Sequence, residues 1–108
     1  MATLYLGTPH YRAKYGARSF EEVMETRIGR AYALSKYDAQ TLKSGDNIVV
    51  VRKDRYHSRA EGKLQKIEFT GQITGNHLRR YNVHIDELTL VEYHPGPDLG
   101  RGGVPLVE

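Results

Sequence analysis

"LKSGDNIVVVRK", residues 42–53, is the stretch that decides the fold. Its Gly45-Asp46 pair stands just before an uninterrupted apolar run, Ile48 to Val51, that ends on two cations. Glycine accepts the positive φ of a sharp corner, and an aspartate side chain accepts hydrogen bonds from backbone N–H groups of its own turn. The pair therefore sets the angle at which the chain enters the apolar run. Four consecutive β-branched residues without polar alternation describe a strand covered on both faces, the central strand of a sheet.

Toward the N-terminus, "SKYDAQTLK" at 35–43 carries an S-x-x-D cap pattern and predicts one or two helical turns, and "AYAL" at 31–34 reads as a strand. "SFEEVMETRIG" at 19–29 is the best helix signal. Ser19 can cap, Glu22 supplies the reciprocal half of a capping box, and Phe20, Val23, Met24 and Ile28 share a face before Gly29 stops the helix. "TLYLG" at 3–7 suits a short first strand that Pro9 ends, and the polar, aromatic and basic stretch 8–19 reads as a loop.

Toward the C-terminus, "RYHSRAEG" at 55–62 predicts an exposed connection. From Lys63 the pattern has period two, Ile67 and Phe69 against Lys66 and Glu68, with a bulge at Gly71 and continuation through Ile73. Gly75 and Asn76 give a hairpin turn. The return strand sets Tyr81, Val83 and Ile85 against Asn82, His84 and Asp86, and "ELTLVEY" at 87–93 adds a last strand. Residues 94–108 hold three Pro and four Gly, too many for a regular element. We expect one domain over 1–94 and a Pro/Gly-rich tail over 95–108 that wraps the domain or stays loose. The fold class expected is α+β, mainly β: a small antiparallel β-barrel, closed or nearly so, with one or two short helices packed beside it.

Composition narrows the function classes. The chain has 108 residues and no Cys, which excludes disulfides, thiolate nucleophiles and sulfur-ligated zinc. No cofactor is expected. No apolar run approaches the roughly 20 residues of a membrane span and the start lacks a secretory pattern, so the expected place is the cytoplasm, with no membrane partner. The net charge of +3 hides an asymmetry: residues 1–57 carry ten basic and six acidic side chains, residues 58–108 six and seven. A basic half rich in Tyr suits a polyanion with bases to stack, although small proteins also carry such charge for solubility alone.

The turn and strand Leu42, Lys43, Gly45, Asp46, Ile48 and Val50, with "GKLQKIEFTGQI" as the following strand, resemble the PUA-like superfamily, which includes the PUA, ASCH, EVE and YTH domains. The resemblance covers most of residues 20–93 by pattern, and the Gly-Asp turn is its one sharp motif. It implies a small twisted barrel with helices beside it and a cleft between the two that takes a base or an RNA strand. The matching segments here are "YRAKYGAR" and "YALSKYD". The EVE and YTH branches use a Trp-containing cage, and this chain has no Trp. The ASCH branch, some of whose members bind or cut RNA, is the closer analogy.

From the residues themselves, Tyr11, Arg12, Lys14, Tyr15 and Arg18 form the densest aromatic and basic cluster, and Lys36 and Tyr37 have similar standing, while the resemblance adds Tyr32, which with Tyr37 is the only nearby substitute for the Trp of the cage. Arginine forks onto phosphate and tyrosine stacks on a base; tyrosines can equally plug a barrel mouth. Arg79 and Arg80 either continue the basic surface or guard an edge strand. A metal-independent ribonuclease would need an acid, a base and a cation at one phosphate. His57 lies among Arg55, Tyr56 and Arg59, and His84 has Asp86 two residues on, but neither spacing is diagnostic. RNA or single-stranded nucleic acid is the expected partner. An ASCH-like ribonuclease and a small barrel for a metabolite or protein partner are the alternatives, and no metal site is expected.

Overall fold

Gly45 takes φ +94° and Asp46 closes the corner behind it: the Lys43 N–H donates to Asp46 Oδ2 at 2.9 Å, and the Asp46 N–H donates to the Lys43 carbonyl at 3.0 Å. The turn expected from sequence is thus present with the expected bonds. It is then fastened to the next part of the chain, because the Gly45 N–H donates to Leu64 O and the Leu64 N–H to Asp46 O. These contacts belong to a computed structural model that describes residues 2–8, 20–52, 59–74, 78–91 and 106–107.

The described elements are β1 (Thr3–Thr8), α1 (Phe20–Thr26), β2 (Ile28–Leu34), α2 (Lys36–Thr41), β3 (Asn47–Arg52), β4 (Arg59–Thr74), β5 (Leu78–Val91) and β6 (Leu106–Val107). Five strands form one mixed sheet in the order β2-β5-β4-β3-β1, and the two-residue β6 adds to its β1 edge. Strand β3 is interior, and none of Ile48, Val49, Val50 and Val51 is more than 6 % exposed, as the unbroken apolar run requires. Ile48 and Val50 join Leu4, Leu6, Ala60, Leu64, Val83, Ile85 and Leu88 in the main core. Val49 and Val51 pack with Tyr5 in a smaller cluster on the other face.

Several expectations need correction. The sheet is mixed, not antiparallel: β1 runs parallel to β3, Thr3 opposite Asn47 through Thr8 opposite Arg52. Two helices and a strand lie between β1 and β3 in the sequence, enough chain for the crossover a parallel pair needs. Arg59 to Gly62, read as exposed connection, begin β4, where Arg59 and Ala60 are buried. The strand expected at 87–93 is not separate. It continues β5 through a bulge at Glu87, whose φ is 54°, opposite Gly62. A Cβ at Gly62 would lie 2.7 Å from Asp86 O and Ile85 Cγ2, so the bulge closes only over a residue without a side chain.

Helix α1 ends before Gly29. Arg27, at φ 60°, makes the left-handed C-terminal residue and its N–H donates to Val23 O at 2.7 Å, while Phe20 and Val23 face the core. Gly29 instead lies in β2, against Tyr32 and Leu6. Helix α2 starts as expected, with Ser35 as N-cap accepting from the Asp38 N–H at 3.0 Å. Gly71 takes φ +89° at a break in the β4–β5 register, the bulge anticipated there. The hairpin turn at 75–76 lies outside the described residues, but Thr74 pairs with Leu78 across it. In the tail, Leu106 and Val107 pair antiparallel with Leu4 and Thr3.

The two ends of the five-strand order approach one another. Tyr32 on β2 donates its hydroxyl to Gly7 O on β1 at 2.9 Å, with its ring packed on the main core. Among the described residues no backbone ladder joins these two strands. The sheet is therefore strongly curled, and its edges meet through a side chain.

Candidate nucleic-acid interface

Strand β4 outruns its neighbour β3, which pairs only with Arg59 to Lys63, so from Leu64 onward β4 and β5 form a long hairpin. Along β5 the side chains that face the core are Ile85, Val83 and Tyr81, and the same face continues outward to Arg79. Across the ladder Ile67 opposes Val83 and Phe69 opposes Tyr81. The apolar face therefore runs past the edge of the core and into solvent.

There it ends in an aromatic and cationic cluster. Phe69 is 43 % exposed, its ring 5.7 Å from that of Tyr81 at an interplanar angle of 48°. The Arg79 guanidinium stands 5.4 Å from the Phe69 ring centroid, within cation–π range. Ile73, opposite Arg79, is 58 % exposed. Leu34, the last residue of β2, pairs with Arg79, and α2 begins two residues later. The topology thus brings Lys36, which is exposed, and Tyr37, 65 % exposed, to the same end of the sheet.

The other face of the hairpin is tied down. Ala31 takes the left-handed φ of 61° in a bulge of β2, and two side chains of β5 hold it: its N–H donates to Asn82 Oδ1 and its carbonyl accepts from an Arg80 Nη, both at 3.2 Å. Thr70 Oγ1 donates to Arg80 O at 2.9 Å. A strained residue persists where its surroundings over-determine it, and these bonds do so here. They fix the hairpin to β2 and hold the Phe69–Arg79 cluster in place.

His84 finds its carboxylate across the ladder, not along its own strand. Its Nε2 lies 3.2 Å from Glu68 Oε1, whereas Asp86 is exposed in register with Lys63. Hydrogen bonds from His84 and then Asn82 hold the Glu68 carboxyl below its usual range. No other His lies among the described residues, so an acid–base pair of histidines is not assembled there. Nor do the described residues gather three metal-ligating side chains, and none of their helices is long and apolar enough to cross a membrane.

Of the residues singled out in the sequence, Tyr11, Arg12, Lys14, Tyr15 and Arg18 lie outside the described residues, as does His57. Tyr32 is committed to Gly7 and to the core, and burial pushes its phenol well above the ordinary tyrosine value. Lys36 and Tyr37 are at the surface. The alternation in sequence places Phe69 with Ile67 on the apolar face and leaves Arg79 between a continued basic surface and an edge guard; in the structure both are exposed and in contact. The signal that finds them is the alternation itself, which sets Phe69 and Tyr81 on one face with Arg79 two residues beyond. No family model, curated protein or solved structure matches this chain.

Proposed function

We propose that this chain is a PUA-like barrel that binds single-stranded nucleic acid, RNA foremost, across the end of the sheet where the β4–β5 hairpin meets α2. The observation that carries the reading is the exposed Phe69 ring with the Arg79 guanidinium against it. An accessible ring offers a face on which any base can stack, and an adjacent arginine can take the neighbouring phosphate while remaining against the ring. Lys36 and Tyr37 extend the same two chemistries onto α2. The curled sheet, its edges bridged by Tyr32, suits the barrel part of the proposal, and the Gly45-Asp46 turn matches the motif of that superfamily.

The test is fluorescence anisotropy with a labelled single-stranded RNA of mixed sequence at low salt. The parent should bind, and Phe69→Ala should weaken binding by about 1–3 kcal/mol, the range of one base–aromatic stack. A parent that shows no binding, or a Phe69→Ala variant that binds as well as the parent, overturns the assignment.

A further inference from the structure

A cavity lies on the face of the sheet opposite the Phe69–Arg79 cluster. Residues two apart on a strand share a face, and the pairing of β1, β3 and β4 therefore lines up two adjacent rows there: Tyr5, Val49 and Glu61, then Thr3, Asn47 and Lys63. These two rows line a cavity of about 420 Å³, within the usual range of small-ligand sites, and Glu87 completes its wall. Glu87 belongs to neither row. The bulge opposite Gly62 brings it there, and its φ of 54° is one that non-glycine residues seldom adopt. Its carbonyl accepts from its neighbour Thr89 Oγ1 at 3.2 Å.

The polar groups are set for a ligand of mixed charge. Lys63 Nζ donates to Asn47 Oδ1, and the amide nitrogen of the same Asn47 donates to Thr3 Oγ1 at 3.5 Å, so both ends of the Asn47 amide are used. An ammonium group has three donors, and this contact occupies one. Glu61 and Glu87 are exposed and form no ion pair among the described residues. The lining thus holds one cation with spare donors and two carboxylates around an apolar floor of Tyr5 and Val49, with the exposed Asp86 in register with Lys63 just outside it. The complementary molecule has one acidic and up to two basic groups on a short aliphatic stem.

We propose that this cavity binds a free basic amino acid of the arginine or lysine type. Its α-carboxylate sits on Lys63, its α-ammonium and side-chain cation on Glu61 and Glu87, and its methylene stem on Tyr5 and Val49. The site is independent of the nucleic-acid reading, since it uses the other face of the sheet and none of Phe69, Arg79, Lys36 or Tyr37.

The experiment is a titration of the isotopically labelled chain with free L-arginine, followed by amide chemical shifts, with agmatine, which lacks the carboxylate, as the matched probe. Saturable shifts should centre on Tyr5, Val49, Glu61 and Lys63, and agmatine should bind more weakly by about tenfold or more, as expected for loss of one charged contact. Glu61→Gln and Glu87→Gln should each weaken arginine binding severalfold, and Lys63→Met should abolish the preference for arginine over agmatine. The dispersion of each variant's spectrum reports that it has folded. Phe69→Ala should bind arginine like the parent. Absence of saturable shifts up to about 10 mM arginine, equal binding of arginine and agmatine by the parent, or unchanged binding by both Gln variants would each overturn the site.

Discussion

The Tyr32 hydroxyl donates to the Gly7 carbonyl at 2.9 Å, and this one side chain joins strands that stand at opposite ends of the five-strand order. Gly29 makes the contact possible: a Cβ there would lie 2.8 Å from Tyr32 Cε2 and 3.2 Å from Leu6 Cδ1. Tyr32→Phe keeps the ring and loses the bond, which should cost about 1 kcal/mol, or more where the Gly7 carbonyl is left without a partner. Gly29→Ala displaces the ring itself and should cost more. Because both changes act on one contact, the double variant should be less destabilised than the sum of the singles, as chemical denaturation of the set would measure. Strict additivity would mean that the ring does not bridge the strands.

Val50 is fully buried in the main core and lies on an interior strand. Val50→Asp places a charge there with no partner and should unfold the domain, while Val50→Ala removes two buried methyl groups and should cost about 2 kcal/mol, the transfer loss plus a small cavity. Circular dichroism melting of the two variants checks the order. A Val50→Asp protein with the parent's melting temperature would remove β3 from the core.

Gly45 and Gly71 form a controlled pair. Each has a φ near +90° and open space where a Cβ would be, so alanine at either position meets backbone strain without a clash. Both substitutions should destabilise by about 1–2 kcal/mol. Asp46→Ala should add a separate loss at the first turn, because the Lys43 N–H is then without its acceptor. Melting temperatures of the three variants would show whether the corner before β3 depends on glycine, on aspartate or on both.

The contrast between these features shows what could be read from sequence. The Gly45-Asp46 corner, the doubly buried Ile48–Val51 run and the Ser35 cap are local devices, in which the residues that make the structure are neighbours in the chain. The parallel pairing of β1 with β3 and the bridge from Tyr32 to Gly7 are not local, and no pattern near Leu4 or Tyr32 specifies the partner. Gly29 misled for a related reason. It stands after a helix as a C-terminal glycine would, but Arg27 had already taken the left-handed conformation, and the glycine is there for the ring packed on it. The candidate interface was half legible. Lys36 and Tyr37 stand out as a cation and a ring on a polar helix, whereas Phe69 becomes a surface group only because β4 extends beyond β3.

Glu68 supplies a pH test. Its carboxyl is held below the usual range in the folded protein, by hydrogen bonds from His84 first and Asn82 second, so its contribution is present above the unfolded-state carboxylate value and is lost as pH falls through the lower folded value. The melting-temperature difference between the parent and Glu68→Gln should therefore be positive near neutral pH and shrink as the solution is made acidic. Glu68 is exposed, so the difference should be small and salt-sensitive. A difference that stays constant from about pH 7 to about pH 3 would mean that the His84–Glu68 contact does not form in solution.

Salt separates the two chemistries proposed for the end of the sheet. Arg79 and Lys36 would act on phosphates, so Arg79→Ala and Lys36→Ala should each weaken RNA binding and flatten the dependence of log K on log salt, by about 0.7 for each phosphate of a single strand that is no longer neutralised. Phe69→Ala and Tyr37→Ala should weaken binding by a similar factor at every salt concentration, because stacking releases no counterions. Arg79 also rests against the Phe69 ring, so its removal should alter the ring's position as well. The Arg79→Ala, Phe69→Ala double variant should then lose less than the sum of the two singles, while Lys36→Ala and Phe69→Ala should add. Anisotropy titrations at three or four salt concentrations resolve slopes from offsets. An Arg79→Ala slope equal to the parent's would assign the guanidinium to holding the ring and leave the phosphate to other residues.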